Sequence, residues 1–207
     1  MQGKRIGIMG GTFDPIHNGH LILANAAREQ FRLDEVRFIP AGHPPHKPGR
    51  SGATDKQRID MLQLAISANP FFSLSLMEMN EECSYTYRTL ERLHESEPDN
   101  VYYFLMGADS LEEFPTWKRP EYIVTMCKIL VATRNGLSAE DFFELLEERN
   151  RVYANAFRPL DTPEITISSS FLRERMMQGR SIRYYVPDNV LYYIRKEGVY
   201  LPTETTE

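Results

Sequence analysis

Along this chain, short apolar runs alternate with longer segments whose apolar residues recur at helical spacing. The first run, IGIM at 6–9, lies between Lys4-Arg5 and Gly10-Gly11 and predicts a buried parallel strand. After a tight turn, residues 21–31 carry the periodicity of an amphipathic helix. EVRFIP at 35–40 predicts a second strand, and the Pro/Gly-rich stretch 41–53 a loop. Thr54 followed by Gln57 has the pattern of a capping box, launching a helix to about residue 68 that Asn69-Pro70 ends. FFSLSLME from Phe71 alternates apolar and polar, which predicts a third strand.

Residues 86–95 are helical by pattern, and 98–100 turn the chain into VYYFLMG at 101–107, a fourth buried strand. GADSLEEF after it reads as an exit from strand to loop, with Trp117 in the loop beyond. A fifth strand is expected at 128–133, a helix capped by Ser138 runs to about 149, and 164–167 is expected to be a last short strand. Ser168, Ser169 and Ser170 cap a helix closed by Gly179, and Pro187 and Gly198 bracket the final one. The tail at 202–207 is expected to fray.

Strands alternating with helices predict an α/β fold: a Rossmann-like, doubly wound parallel sheet with helices on both faces. In such sheets ligands bind beyond the carboxyl ends of the strands, where the strand order reverses. With 207 residues, no repeat and no linker, a single domain over 1–207 is expected, its helical part at about 168–200 packing on the sheet.

Composition narrows the partners. A net charge of −5 argues against a broad nucleic-acid footprint, which needs a basic stripe, while a local positive pocket for a phosphorylated small molecule remains compatible with it. No apolar run approaches the length of a membrane span, the start MQGKRIGIM passes directly into the first strand, and two cysteines give no disulfide framework. The expected compartment is the cytoplasm, with no membrane partner.

The chemistry concentrates in the first turn. Strand, glycine turn and helix start aim backbone N–H groups at an anion, and Gly10 and Gly11 let a phosphate come close. His17 and His20, three residues apart, can donate hydrogen bonds to phosphoryl oxygens, which suits triphosphate chemistry. The alternatives are a histidine pair capping the helix, or a zinc site with His43 and His46, for which no acidic residue or cysteine stands at ligand-like spacing nearby. Lys47 is either a surface charge or a point cation for phosphate. Three hydroxyls at a helix N-terminus with Arg173 one turn in make a second anion nest, one serine serving as plain cap. Gly107 and Asp109 at a strand end suit a ribose. Trp117 could stack on an electron-poor ring, although a lone tryptophan is more often core.

Six segments in order, GGTFDPIHNGHL, IPAGHPPHK, SYTYRTL, GADSLEEFPTWK, VATRNG and ISSSFLRERM, resemble the bacterial nicotinate mononucleotide adenylyltransferases of the HxGH nucleotidylyltransferase superfamily. The resemblance implies adenylyl transfer from ATP to nicotinate mononucleotide, with magnesium arriving with ATP and no resident metal. It implies ATP contacts from Gly10, Gly11, Thr12, Phe13, His17, His20, Gly107, Asp109, Ser168, Ser169 and Arg173. Of these, His17, His20 and Arg173, together with Lys47, would carry the catalysis. It places the acceptor against Lys47, Thr86 and Trp117, and Arg134 joins them for charge balance. Ser170 stands where the family pattern has threonine, and Leu172 precedes the arginine; hydroxyl and branched apolar side chain survive. Alternatives are a nicotinamide-preferring or other HxGH transferase, a class I tRNA synthetase, whose longer chain and KMSKS-type loop are absent, and a non-catalytic nucleotide sensor. A homo-oligomer stays open.

Overall fold

The computed structural model describes residues 3–42, 52–79, 84–133 and 138–200. Six parallel strands form one sheet in the order β3-β2-β1-β4-β5-β6. The chain runs β1 (Arg5–Gly11), α1 (Asn18–Gln30), β2 (Glu35–Pro40), α2 (Asp55–Ile66), β3 (Phe72–Leu74), α3 (Thr86–Ser96) and β4 (Val101–Gly107). It continues with α4 (Ala108–Glu113), α5 (Pro120–Met126), β5 (Cys127–Ala132), α6 (Ala139–Val152), β6 (Phe157–Leu160), α7 (Ser169–Met177) and α8 (Asp188–Lys196).

The central strands are apolar on both sides because both faces of the sheet are covered. Along β4, Tyr102, Phe104 and Met106 enter one core with Ile6, Ile8, Ile129 and Val131, and side chains of α3, α5 and α6 close it. Leu105 points to the opposite core with Met9, Leu130 and Ala132, where α1, α2, α7 and α8 pack. Alternation within a buried strand thus feeds two cores. Residues from 168 onward contribute Leu172, Met176, Val190, Leu191 and Ile194 to the second of these.

The capping box at α2 forms as expected: Thr54 Oγ1 accepts from Gln57 N at 3.3 Å and Gln57 Oε1 accepts from Thr54 N at 2.9 Å. Ser138 and Ser168 cap α6 and α7, and Gly179 and Gly198 take left-handed φ values of 68° and 62° beyond α7 and α8. Three expectations fail. GADSLEEF is helical: Gly107 leads into α4, which buries Ala108 and Leu111, and a 3-10 turn over Phe114–Thr116 follows. Helix α5 was not expected. The last strand is β6, pairing Phe157 with Ile129 and Leu160 with Ala132, while 164–167 is neither strand nor helix because no strand lies beside it. β3 is only three residues long, at the sheet edge.

At the amino end of the sheet, Arg37 joins Glu35 (3.1 Å) and Glu97 (2.8 Å), and Ser73 donates to Glu35. Burial alone would raise the Glu35 carboxyl, but hydrogen bonds from Ser73 and Arg37 and the charge of Arg37 outweigh it and hold the group below its ordinary range. A lowered folded value means stability that is present above the unfolded carboxylate range, around pH 4, and lost as pH falls below it. Glu35→Gln should therefore cost about 1–2 kcal/mol at neutral pH, with the deficit shrinking toward pH 3 in urea melts. A deficit independent of pH would mean that packing, not the charge, is what Glu35 contributes.

Candidate active site

The carboxyl ends of β1 and β4, adjacent strands from which the chain winds in opposite directions, open into a cavity of about 500 Å³. Its floor is Ile8 to Gly11 and Phe104 to Gly107; its walls are His20 and Leu23 from α1, Ser84 to Thr86 leading into α3, Asp109, and Thr116 to Lys118. A slit of about 50 Å³ continues it between the start of α1, Thr133 beyond β5, and Thr162, Pro163, Ile165 and Ile167. His20, Leu23 and Gly107 belong to both.

His17 is the residue before α1 and is 2% exposed; His20 stands in the first turn, and the rings stack at 3.7 Å and 26°. His17 N–H donates to His20 Nδ1 at 3.3 Å. A neutral imidazole accepting at Nδ1 carries its proton on Nε2, so the bond fixes a donor at the other end of the ring. The capping and phosphate readings of this pair therefore coexist, one nitrogen serving each. A Cβ at Gly19 would crowd this stack, lying 3.0 Å from His17 Nδ1 and 3.2 Å from Ile165. Gly10 and Gly11 are not required by crowding: their nearest neighbours to a Cβ are Phe104 at 3.7 Å and Phe13 at 3.4 Å.

Phe13 lies in the core, 2% exposed at φ 50°, with its ring edge-on to His20 at 5.1 Å and against Phe38 at 5.9 Å. Three carbonyls of the GGTFDP turn accept from side chains. Thr12 O accepts from Arg58 Nη1 at 2.6 Å, Asp14 O from Arg173 Nη1 at 2.5 Å, and Pro15 O from Ser169 Oγ at 2.9 Å. Ser168 Oγ accepts from Phe171 N at 3.2 Å, the plain cap. Ser169 and Arg173 thus reach the first turn but do not line the cavity.

Gly107, Asp109, Thr86 and Trp117 are brought together on the cavity. Trp117 is half-buried, 5.8 Å from Phe104 and 5.4 Å from Phe114, so it belongs to the core as well as to the cavity wall. Lys47, Arg134, His43 and His46 lie outside the described residues.

Sequence reasoning missed Asp14, the slit residues Thr162, Pro163 and Ile165, and Glu78, a 9%-exposed carboxylate on the cavity wall that accepts from Thr89 Oγ1 at 2.5 Å. Asp14 is 2% exposed and takes hydrogen bonds from Gly52 N (2.9 Å), Ala53 N (3.2 Å) and Tyr200 Oη (2.6 Å). Its only sequence signal was its place inside the histidine turn. Burial, then the neighbouring Asp14 charge, holds the Tyr200 phenol far above its usual range, so it is a permanent donor.

Residues 8–175 match the cytidylyltransferase-like family. A protein of Desulfitobacterium hafniense strain Y51 called "Probable nicotinate-nucleotide adenylyltransferase" is 41% identical over 198 residues, covering 95% of this chain and 96% of its own. One of the same name from Lachnoclostridium phytofermentans is 42% identical over 199 residues, 96% of this chain and 100% of its own. This chain belongs to the nicotinate-nucleotide adenylyltransferase family. The fold of the family is visible beyond sequence likeness. The Plasmodium falciparum nicotinic acid mononucleotide adenylyltransferase complexed with NaAD superposes with a TM-score of 0.79 at 21% identity, covering 95% of this chain and 97% of that one. Among the described residues no helix is long and apolar enough to cross a membrane.

Proposed function

We propose that this protein transfers the adenylyl group of ATP to nicotinate mononucleotide, giving nicotinate adenine dinucleotide and pyrophosphate, a step of NAD biosynthesis. Relatives about 40% identical across nearly the whole chain support this, and so does the cavity at the β1/β4 switch point with a fixed imidazole donor in its wall. The acceptor's 5′-phosphate oxygen attacks the α-phosphorus; the new P–O bond forms as the bond to the β-phosphate oxygen breaks, and pyrophosphate leaves. The attacking oxygen is already anionic at neutral pH, so no nucleophilic side chain is needed. Catalysis is positioning and charge stabilisation.

His20 Nε2–H is the donor to charge building on the α-phosphate, with His17 holding its ring. Gly10 and Gly11 keep the floor bare for phosphate approach. Gly107 and Asp109 take the adenylate ribose, and the slit beside Ile165 suits the flat apolar faces of the base. Arg173 and Lys47 offset the polyphosphate charge, with Ser168 and Ser169 at the start of the helix that carries Arg173. Magnesium is brought by ATP and held mainly by phosphates and water, since the Asp14 carboxylate in the turn already accepts from Gly52, Ala53 and Tyr200. Bound there, it would neutralise phosphate charge. The whole chain, residues 168–200 included, works as one catalytic unit, in the cytoplasm where ATP is the available donor.

The test is pyrophosphate release with ATP and a panel of phosphorylated acceptors. Trp117 stacks on the pyridine ring, and donors at Thr86 and the neighbouring amides face its carboxylate, with Arg134 nearby. A carboxamide would set its NH₂ against one of those donors, costing about 1–3 kcal/mol, so kcat/KM should favour the acid at least tenfold. Equal use of the amide would move the enzyme to dual specificity. Thr86→Val should narrow the ratio. EDTA should abolish turnover and magnesium alone restore it; a requirement for zinc would establish the histidine metal site instead.

A further inference from the structure

The carboxylate of Asp14 is saturated by donors from three distant parts of the chain. Oδ1 accepts from Ala53 N at 3.2 Å and from Tyr200 Oη at 2.6 Å. Oδ2 accepts from Gly52 N at 2.9 Å and faces Arg173 Nη1 at 3.5 Å. The same Nη1 donates to the Asp14 carbonyl, which leaves Nε and Nη2 of Arg173 without a hydrogen-bond partner among the described residues, on a side chain 28% exposed. Tyr200 and Arg173 also share one seat: a Cβ on Gly52 would lie 2.8 Å from Tyr200 Cδ1 and 3.3 Å from Arg173 Cδ. Tyr200 holds this place at a left-handed φ of 63°, a conformation a tyrosine adopts only where its surroundings impose it.

We propose that Tyr200 is a positioning residue for Arg173, acting through Asp14. Its hydroxyl satisfies Oδ1, so the carboxylate holds Arg173 by one nitrogen only and the rest of the guanidinium stays available to an anion. This rests on the reading of Arg173 as a contact to the ATP phosphates. Without the hydroxyl, an under-satisfied buried carboxylate competes for the guanidinium, since charge-assisted donors are what such an oxygen takes up first. The tyrosine ring meanwhile fixes Gly52, whose N–H holds the other oxygen. A residue far along the chain would thereby tune the affinity for one substrate and not the other.

Equilibrium titration of ATP and of nicotinate mononucleotide, each alone, into wild type and Tyr200→Phe tests this. The variant keeps the ring on Gly52 and removes only the hydroxyl. Its dissociation constant for ATP should rise about three- to tenfold, with that for the mononucleotide unchanged within twofold. Tyr200→Leu, which removes the hydroxyl without adding an atom beside Arg173, should produce the same one-sided shift and carries the test should Tyr200→Phe not fold. ATP affinity equal to wild type, or an equal loss for both ligands, overturns the assignment. A wild-type protein that binds no ATP would instead overturn the adenylyl-transfer reading itself.

Discussion

His20→Ala should lower kcat by roughly 10²–10³, the cost of removing one preorganised donor from a site where charge develops in the transition state. The structure also gives His20 a second task, accepting from His17 N–H at the start of α1, so alanine will lose some stability along with activity. His20→Asn separates the two. An asparagine Oδ1 stands where the imidazole Nδ1 does and can keep the bond from His17, but nothing replaces Nε2–H. The expected pattern is a melting temperature near wild type for His20→Asn with turnover as low as in His20→Ala. If asparagine restored turnover, the capping bond would be the whole function of His20.

Phe13→Ala should destabilise the protein by about 3–5 kcal/mol, as for other fully buried phenylalanines. In a chain of this size that is a fall of roughly 10 °C or more in Tm. Alanine is as strained as phenylalanine at φ 50°, so the backbone term cancels and the loss reports packing alone. The ring also backs His20, edge-on at 5.1 Å, and its removal frees the imidazole to turn away from the cavity. Turnover measured well below the melting temperature should therefore fall at least tenfold, with Phe13→Leu intermediate in both properties. Full turnover in a folded Phe13→Ala would confine the ring to the core.

The local grammar of the chain determined a large part of this molecule. The apolar runs at 6–9 and 101–107 became β1 and β4 because a central strand covered on both faces shows little polar side, and EVRFIP became β2 with Glu35 and Arg37 paired to each other. Thr54 with Gln57, Ser138 and Ser168 began helices because each supplies an acceptor to amides that lack one within the helix. Glycines after β1 and histidines at the start of α1 marked the site, since both act within a few residues of each other.

Tertiary structure decided what depends on a partner far away in sequence. Residues 164–167 have the better strand composition, yet FRPL is the strand, because only Phe157 to Leu160 runs alongside β5 and finds its unpaired edge. GADSLEEF turned helical because Ala108, Leu111 and Phe114 are covered by the core that α3, α5 and α6 build. Asp14 looked like a turn residue; its carboxylate takes donors from residues 52, 53 and 200 and faces Arg173, and no local pattern brings those together. Periodicity and capping are properties of neighbours in the chain, whereas edges, burial and the saturation of a buried charge exist only after the chain has folded.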